Sequence, residues 1–480
     1  MFPSPMKDFG YDVSDYEDVH TDYGTLADMD RLIKEAHRRH IHVILDFVPN
    51  HTSDEHTWFR ESCSSKTSPK RDWYIWRDAK DDGSPPNNWI AAFGGPAWEW
   101  HQATQQYYLH SFLREQPDLN WRNPQVERAM HNVLRFWMDR GVDGFRIDVM
   151  GRILKDPELR DNPPQPNRRL AEIAGPSALQ RHVYDHNWPD IIDAVRRIRK
   201  VVDEYPERMA VGEVFGRPEK IVEYYGGPAL DGLHLAFNFP FVRIVDGRWT
   251  AAHVRASVDE FEAALPAGGW PNHVFGNHDV PRMVSRVNGD GRGRERARVA
   301  AMLLLTLRGT PFIYYGEELG MEDVTIPERK LQDPARFYGR GRDPQRTPMP
   351  WTRQGGFSFH EPWLPYGNLS VNVEDQEKDR ASLLWLYRRL IWLRRRSDAL
   401  RFGAYTPVDG LPPDVYAYAR AHGDDRLLIV LNFSSDPVAC ELPPSLPVHE
   451  MLIGTHDAVD EGQTLRLRGN EGRVMRLETL

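Results

Sequence analysis

Residues 123–148 read NPQVERAMHNVLRFWMDRGVDGFRID, and the fold is decided there. Asn123 caps a helix that Pro124 opens, and Val126, Met130, Val133, Trp137 and Met138 recur along one face of it through Arg140. Gly144–Asp148 then reads as a short buried strand that ends on a carboxylate. A helix followed by such a strand is one step of a parallel α/β scaffold. The step recurs in both directions. Upstream, Leu26, Met29, Ile33 and Ala36 share a helical face after a Thr25 cap, and His42–Val48 is the strand. Downstream, Asn187 and Pro189 lead through Ile191, Ile192, Val195 and Ile198 into Met209–Phe215. Leu233–Phe239 is a further strand, a helix near Val254–Leu265 precedes His273–Asp279, and Arg294–Leu307 leads into Pro311–Glu317.

Six strands of this kind predict an α/β fold: a (β/α)8 TIM barrel lacking its first two strands, with an inserted subdomain after barrel strand 3 and a C-terminal antiparallel β domain. Residues 1–50 and 121–398 make the barrel. Residues 51–120, rich in Trp, Gly and Pro, are too many for an ordinary connection and form the subdomain over the barrel mouth. Pro157, Pro163, Pro164 and Pro166 mark a long irregular loop just after Asp148. A long helix, Asp379–Arg396, gives way to short strands with turn signals, such as Val415–Arg420 and Leu427–Phe433, so 399–480 is the β domain.

Composition narrows the function. The chain has 480 residues, 40% hydrophobic and 27% charged, with a net charge of -9 and no long basic run. That excludes nucleic acid and anionic membrane as partners and favours a neutral small-molecule ligand. Cys63 and Cys440 are the only cysteines, which points to a reducing, cytoplasmic setting. Met1–Pro5 shows no signal-peptide pattern, and no apolar run reaches a membrane-spanning length. The aromatic cluster Trp73, Tyr74, Trp76, Trp89, Phe93, Trp98 and Trp100 suits either sugar faces or the core of a small subdomain. Nothing in the sequence indicates an oligomeric state.

Three apolar runs end on acids: Gly144–Asp148, Ala210–Glu213 and Val274–Asp279. At the end of parallel barrel strands, such acids sit where this architecture does chemistry. Arg146 and Asp148 are two apart on a strand and share a face, so Arg146 is expected to hold Asp148 ionised, as a nucleophile requires. Glu213, among Val211, Val214 and Phe215, is expected to have its pKa raised by desolvation into the range of a general acid. Buried ion-pair partners or helix caps are the bland alternative for any one of these acids. Three strand-ending acids, accompanied by Arg146 and His278, favour a catalytic set.

Asp46-Phe47-Val48-Pro49-Asn50-His51, Gly144–Asp148, Glu213-Val214-Phe215 and Phe275-Gly276-Asn277-His278-Asp279 resemble the four sequence regions of the α-amylase family of glycoside hydrolases, family 13. Gln116-Pro117-Asp118-Leu119-Asn120 is similar to the signature of that family's oligo-1,6-glucosidase and α-glucosidase branch. The resemblance implies that Asp148 is the nucleophile, Glu213 the acid/base and Asp279 the transition-state stabiliser. It implies substrate contacts for His51 and His278, an ion pair of Asp46 with Arg146, and closure of a one-glucose pocket by Asp8, Tyr11 and Arg346. Val149 falls where members tolerant of α-1,6 bonds tend to carry Val. Family members begin with a strand, a loop that often binds calcium or magnesium, a helix and a second strand, about 50 residues in all by the eight-strand template, which the sequence lacks. The resemblance therefore implies no metal site and no organic cofactor here. The expected activity is that of an exo-acting retaining α-glucosidase releasing terminal glucose from short α-1,4-linked, and on the Val149 reading α-1,6-linked, glucosides. The alternatives are a transglycosylase or isomerase of trehalose synthase or sucrose isomerase type, or an inactive truncated product. A non-catalytic transporter ectodomain on the same scaffold is disfavoured by the intact acids.

Overall fold

The computed structural model describes residues 1–167, 176–243, 249–337, 341–456 and 464–478. They fall into two compact units. The first comprises Met1–Phe215, Lys220–Phe237 and Asp333–Gly341, and the second comprises Gly216–Glu219, Asn238–Gln332 and Arg342–Leu480.

The first unit is built on a four-stranded parallel sheet, β1 (Ile44–Phe47), β2 (Gly144–Ile147), β3 (Met209–Gly212) and β4 (Leu235–Ala236), in that order. Helices α1 (Leu26–His37), α2 (Pro124–Asp139) and α3 (Ile191–Val202) precede β1, β2 and β3. Local chemistry sets where they start. Thr25 and Asp28 form a reciprocal capping box on α1, and the Asn123 side chain accepts from the Gln125 N–H ahead of Pro124. On α2 the apolar face Val126, Met130, Val133, Leu134, Trp137 and Met138 is buried. Phe2 packs on two aromatic rings, Tyr16 and Trp137, at centroid distances of 6.2 and 5.7 Å.

Between β1 and α2, the strand Gln106–Leu109 pairs antiparallel with Trp76–Arg77 on one side and Trp98–His101 on the other. Phe59 stacks on Trp76 at 5.7 Å and meets Tyr74 and Tyr108 edge-on. Trp73, Tyr74, Trp76, Trp89 and Trp98 are all buried, so most of the aromatic cluster packs as core.

In the second unit β5 (Asn272–Val274) runs parallel to β6 (Thr310–Phe312), with α4 (Ala251–Ala264) before the first and α5 (Gly293–Thr306) before the second. Helix α5 is buried along its whole C-terminal half, from Val299 to Thr306, because it is packed from more than one side. Its neighbours in the core come from α6 (Leu383–Arg396) and from a five-stranded antiparallel sheet. That sheet runs in the order β7 (Ala404–Val408), β8 (Val415–His422), β9 (Asp425–Asn432), β11 (Gly472–Leu477), β10 (Val448–Gly454). Tyr416, Tyr418, Leu427, Ile429 and Leu431 face α5 in one cluster. The buried Arg420 donates from its Nη atoms to the carbonyls of Thr306, Leu400 and Gly403 at 2.6, 3.2 and 3.0 Å.

Several elements are shorter than the sequence predicts. Leu233–Phe239 pairs only at Leu235–Ala236, and Phe239–Val242 is a helical turn with Pro240 in its first turn, where no N–H donor is needed. His273–Asp279 ends as a strand at Val274, which leaves Asp279 in a loop. The helix expected over Asp379–Arg396 begins only at Leu383, as α6, and a separate short helix, Val373–Lys378, precedes it. Asp379 is extended at φ -97° and ψ 104°, and the Ser382 side chain restarts the helix by accepting from the Trp385 N–H. Among the described residues, no helix is long and apolar enough to cross a membrane.

Gly144, at the start of β2, tests the packing of the sheet. A Cβ there would collide with the carbonyl of Met209, its partner on β3. Gly144→Ala is expected to lower stability by about 3 kcal/mol, read as a shift in the urea midpoint. An unchanged midpoint would show that β2 and β3 do not approach this closely.

Candidate active site

Parallel pairing sets Asp46 on β1 opposite Arg146 on β2, and Arg146 opposite Val211 on β3. Asp148 follows β2 and Glu213 follows β3, each tied by its N–H to the preceding strand: Asp148 to the Phe47 carbonyl and Glu213 to the Ile147 carbonyl, both at 2.8 Å. The ladder thus brings three acids to one guanidinium. Arg146 Nη1 donates to Asp46 Oδ1 at 2.8 Å and to Asp148 Oδ1 at 2.5 Å, and Nη2 donates to Glu213 Oε2 at 2.6 Å. The Asp148 and Glu213 carboxyls are thus held on the two terminal nitrogens of the same guanidinium. Burial works against the Arg146 charge, but Glu213, then Asp46 and Asp148, outweigh it and hold its pKa well above the usual value.

The expectation that Arg146 holds Asp148 ionised is overturned. Burial drives the Asp148 carboxyl well above the usual carboxylate range, and Glu213 and Asp46 add to the rise, against the pull of Arg146. The reason is charge counting. One positive charge divided among three carboxyls cannot keep all of them ionised out of water.

Val149, next to Asp148, has φ 34° and ψ 46°, a left-handed conformation that β-branched residues rarely adopt. There its N–H reaches Glu213 Oε2 at 3.2 Å.

A second layer of buried polar groups stands beside this set in the first unit. His51 is 1% exposed. Its Nδ1 lies 3.1 Å from Asn50 Nδ2, and its Nε2 lies 3.1 Å from the Tyr11 carbonyl and 3.0 Å from Gln116 Nε2. Burial lowers the His51 pKa to about 4. Asn50 Nδ2 also donates to Asp118 Oδ1 at 3.0 Å. Lys155, itself buried, bonds Asp118 Oδ2 at 2.6 Å and Asn50 Oδ1 at 2.9 Å. Asp8 Oδ2 accepts from Gln116 Nε2 at 3.2 Å, and Tyr11 donates its hydroxyl to Asp46 Oδ2 at 2.9 Å. The turn carrying Asp8 and Tyr11 is held by the fully buried Asp12, which accepts from Ser4 Oγ and from the N–H groups of Lys7 and Asp8.

In the second unit the Asn277 side chain accepts from the N–H groups of Asp279 and Val280, an Asx turn that fixes the loop after β5. Asp279 Oδ1 accepts from Arg342 Nη1 at 3.0 Å and from Arg346 Nη2 at 3.1 Å. Arg346 Nε also holds the His278 carbonyl at 2.9 Å, and His278 Nε2 lies 3.4 Å from Asp279 Oδ2.

In the first unit the structure therefore gathers Asp46, Arg146, Asp148, Glu213, Tyr11, His51 and Asp8 into one network. In the second it gathers His278, Asp279 and Arg346. Sequence reasoning did not single out Arg342, Asp12, Gln116, Asp118, Asn50 and Lys155 for roles of their own. Asn50, Gln116 and Asp118 lie in motifs quoted above, and Asp12 and Arg342 lie within four residues of Asp8, Tyr11 and Arg346. Lys155 is a lone lysine in a polar loop and carries no sequence signal.

A parallel α/β scaffold with carboxyls paired at adjacent strand ends defines a glycoside hydrolase type of site. The chain belongs to the α-amylase family: the model of the alpha amylase catalytic domain matches residues 1–403. It is 44% identical over 460 residues to a probable alpha-glucosidase of Rhizobium meliloti, covering 92% of this chain and 82% of that protein. It is 37% identical over 518 residues to an oligo-1,6-glucosidase of Parageobacillus thermoglucosidasius, covering 99% and 90%. Among solved structures, an alpha-glucosyl transfer enzyme superposes with a TM-score of 0.91 at 37% identity, covering 99% of this chain and 90% of that one. A trehalulose synthase superposes with a TM-score of 0.86 at 33% identity, covering 99% and 91%. The fold class is accordingly the family's (β/α)8 barrel type with a C-terminal antiparallel β domain.

Two predictions follow from the buried network. Lys155→Met strands the Asp118 carboxylate and is expected to cost about 3–5 kcal/mol, part of which the double change with Asp118→Asn recovers; denaturant titration of both decides it. His51 is neutral in the folded state, with a pKa of about 4 against an ordinary 6.5. The stability it contributes is therefore complete above pH 6.5 and is lost as pH falls towards 4, about 3 kcal/mol in all. His51→Gln should flatten that stretch of the stability curve, and an unchanged slope would show that the ring is charged when folded.

Proposed function

We propose that the chain is an exo-acting retaining α-glucosidase that releases terminal glucose from short α-linked oligosaccharides and disaccharides. The observation that supports this reading most is the convergence of the Asp148 and Glu213 carboxyls on the two Nη atoms of one guanidinium, at 2.5 and 2.6 Å, which keeps them close together. Retaining hydrolysis calls for a separation of about 5 Å, whereas an inverting enzyme holds its carboxyls about 6.5–9.5 Å apart to admit a water.

In this reading Asp148 attacks the anomeric carbon while Glu213 protonates the departing glycosidic oxygen. The glycosyl–Asp148 ester is then opened by water that Glu213 deprotonates. One proton shared by two carboxyls that interact this strongly belongs to the pair. When it sits on Glu213, Asp148 is free to attack, and the same proton goes to the leaving group. Asp46 takes no part in bond making and aligns Arg146. To Asp279, in the second unit, the family resemblance gives the role of stabilising the oxocarbenium-like transition state. Asp8, Tyr11, His51, His278 and Arg346 take the role of binding the terminal glucose. Named relatives support glucoside substrates: oligo-1,6-glucosidases and alpha-glucosidases are among them.

A second reading, glucosyl transfer or isomerisation through the same intermediate, is favoured by the likeness to the alpha-glucosyl transfer enzyme and the trehalulose synthase. The two differ only in what opens the intermediate, water or a sugar hydroxyl.

Glucose release from maltose, isomaltose, sucrose and trehalose tests the first reading, with the anomer released followed by NMR. Release of α-glucose is expected, and Asp148→Ala should reduce kcat by about 10³-fold or more. No glucose from any of the four sinks the hydrolase reading. Net conversion of sucrose or maltose to an isomer without free glucose favours the second, and full turnover by Asp148→Ala removes it as nucleophile.

A further inference from the structure

Glu317 lies in the turn after β6, within Glu317–Leu319, and is 8% exposed. Neither of its carboxyl oxygens has a hydrogen-bond partner. Its Oε1 sits directly against the main chain of Gly276: a methyl group built on Gly276 would lie 2.9 Å from it. Gly276 precedes Asn277, whose side chain fixes the turn that presents Asp279. A cavity of about 10 Å³, room for one water molecule, adjoins the carboxyl. Its walls are Phe275, Met283, Val284, Ala297, Met321 and Tyr387.

We infer that Glu317 is a positioning residue for the glucosidase reaction, its carboxyl propping Gly276 and so setting how the Phe275–Asp279 loop presents Asp279. The inference rests on the role given to Asp279 above. Its physical content is a packing constraint. A side chain at 276 would displace the carboxyl, which lies 2.9 Å from the position of its Cβ, and a smaller residue at 317 leaves the loop unsupported where it leaves β5.

The groups facing Glu317 are Arg282, Arg286, Glu318 and the Tyr387 phenol. Arg286 is engaged by the carbonyls of Val242 and Phe275, and Arg282 by that of Tyr315 at 2.8 Å. Burial pushes the Glu317 carboxyl up to about 8; Arg286 and Arg282 pull against it, and Glu318 adds to it. At neutral pH the prop is uncharged and tolerates its apolar walls. Above that pH a charge develops beneath Gly276 and the loop must shift to hydrate it.

The experiment measures kcat and KM of the full chain on an α-glucoside from pH 6 to 10, for wild type, Glu317→Ala and Glu317→Gln. Because the acid at 279 acts in the transition state, Glu317→Ala should lower kcat about tenfold with KM changed less than about twofold. Glu317→Gln, the same size and without charge, should recover kcat at pH 7 to within about threefold and move the alkaline fall in kcat upward in pH. Unfolding is watched separately through the pH dependence of Tm. A carboxyl whose folded pKa is raised contributes stability that is complete at acid pH and is lost as pH rises to about 8, so Glu317→Gln should remove that slope. Wild-type turnover with an unaltered pH profile in Glu317→Gln and unchanged kcat in Glu317→Ala overturns this inference and leaves the glucosidase reading standing. A wild type that turns over no α-glucoside overturns that reading and the inference with it.

Discussion

The first unit depends on one guanidinium. Arg146 carries hydrogen bonds to acids from three neighbouring strands, which only the parallel register makes simultaneous: Asp46 opposite Arg146 on β1, Asp148 two residues on along the same chain, and Glu213 one step beyond β3. A slip of one residue in either pairing would turn Arg146 or its partners to the opposite face of the sheet. Lysine could not serve in its place, because its point charge lacks the planar fork that addresses separate carboxyls from separate nitrogens. The same arrangement explains why the electrostatics departs from pairwise intuition. An isolated Arg–Asp pair lowers the acid's pKa, whereas here desolvation and two further acids reverse the sign.

Around that centre the protein keeps polar groups buried by pairing them completely. Lys155 and Asp118 sit 2.6 Å apart almost without solvent, and Asn50 joins them to His51. Such a pair stabilises little compared with an apolar substitute, but breaking it exposes the cost of a lone buried charge. What it provides is geometry, since each member fixes the orientation of the next. His51 spends both ring nitrogens on protein atoms. Its ring is therefore oriented before any ligand arrives.

The sequence made the repeated helix–strand steps legible because each was amphipathic, capped and short: Thr25 and Asn123 cap as read, and the face from Val126 to Met138 is buried. Strand ends were less legible. Hydrophobicity continues through Phe237 and Phe275, yet pairing stops earlier, because Pro240 sits in a helical turn and Asn277 closes an Asx turn. The late start of the helix expected from Asp379 was hidden for a related reason, since Ser382 signals a cap only once the chain is known to turn there. Acids and arginines inside motifs could be placed by position. Lys155 could not, because its partners are 37 and 105 residues away in sequence and only the folded chain brings them together. Arg342 was passed over for Arg346, four residues on, although both reach the same oxygen of Asp279.

Val149 shows how local strain and the acids are joined. A valine at φ 34° and ψ 46° is held about 1–3 kcal/mol above its relaxed backbone, and the surroundings must over-determine it. They do so from both sides. Asp148 is pinned by the Phe47 carbonyl and by Arg146, and the Met150 N–H is pinned by the Glu213 carbonyl at 3.0 Å. The chain has one residue in which to turn between those anchors. Turning through the left-handed region aims the Val149 N–H at Glu213 Oε2, so the same peptide that leaves Asp148 supplies a donor to the second acid. A glycine would relieve the strain and surrender the rigidity, whereas the branched side chain narrows the alternatives for a segment whose two ends both carry carboxyl contacts. The strain is therefore the local consequence of holding Asp148 and Glu213 on one guanidinium from adjacent strands.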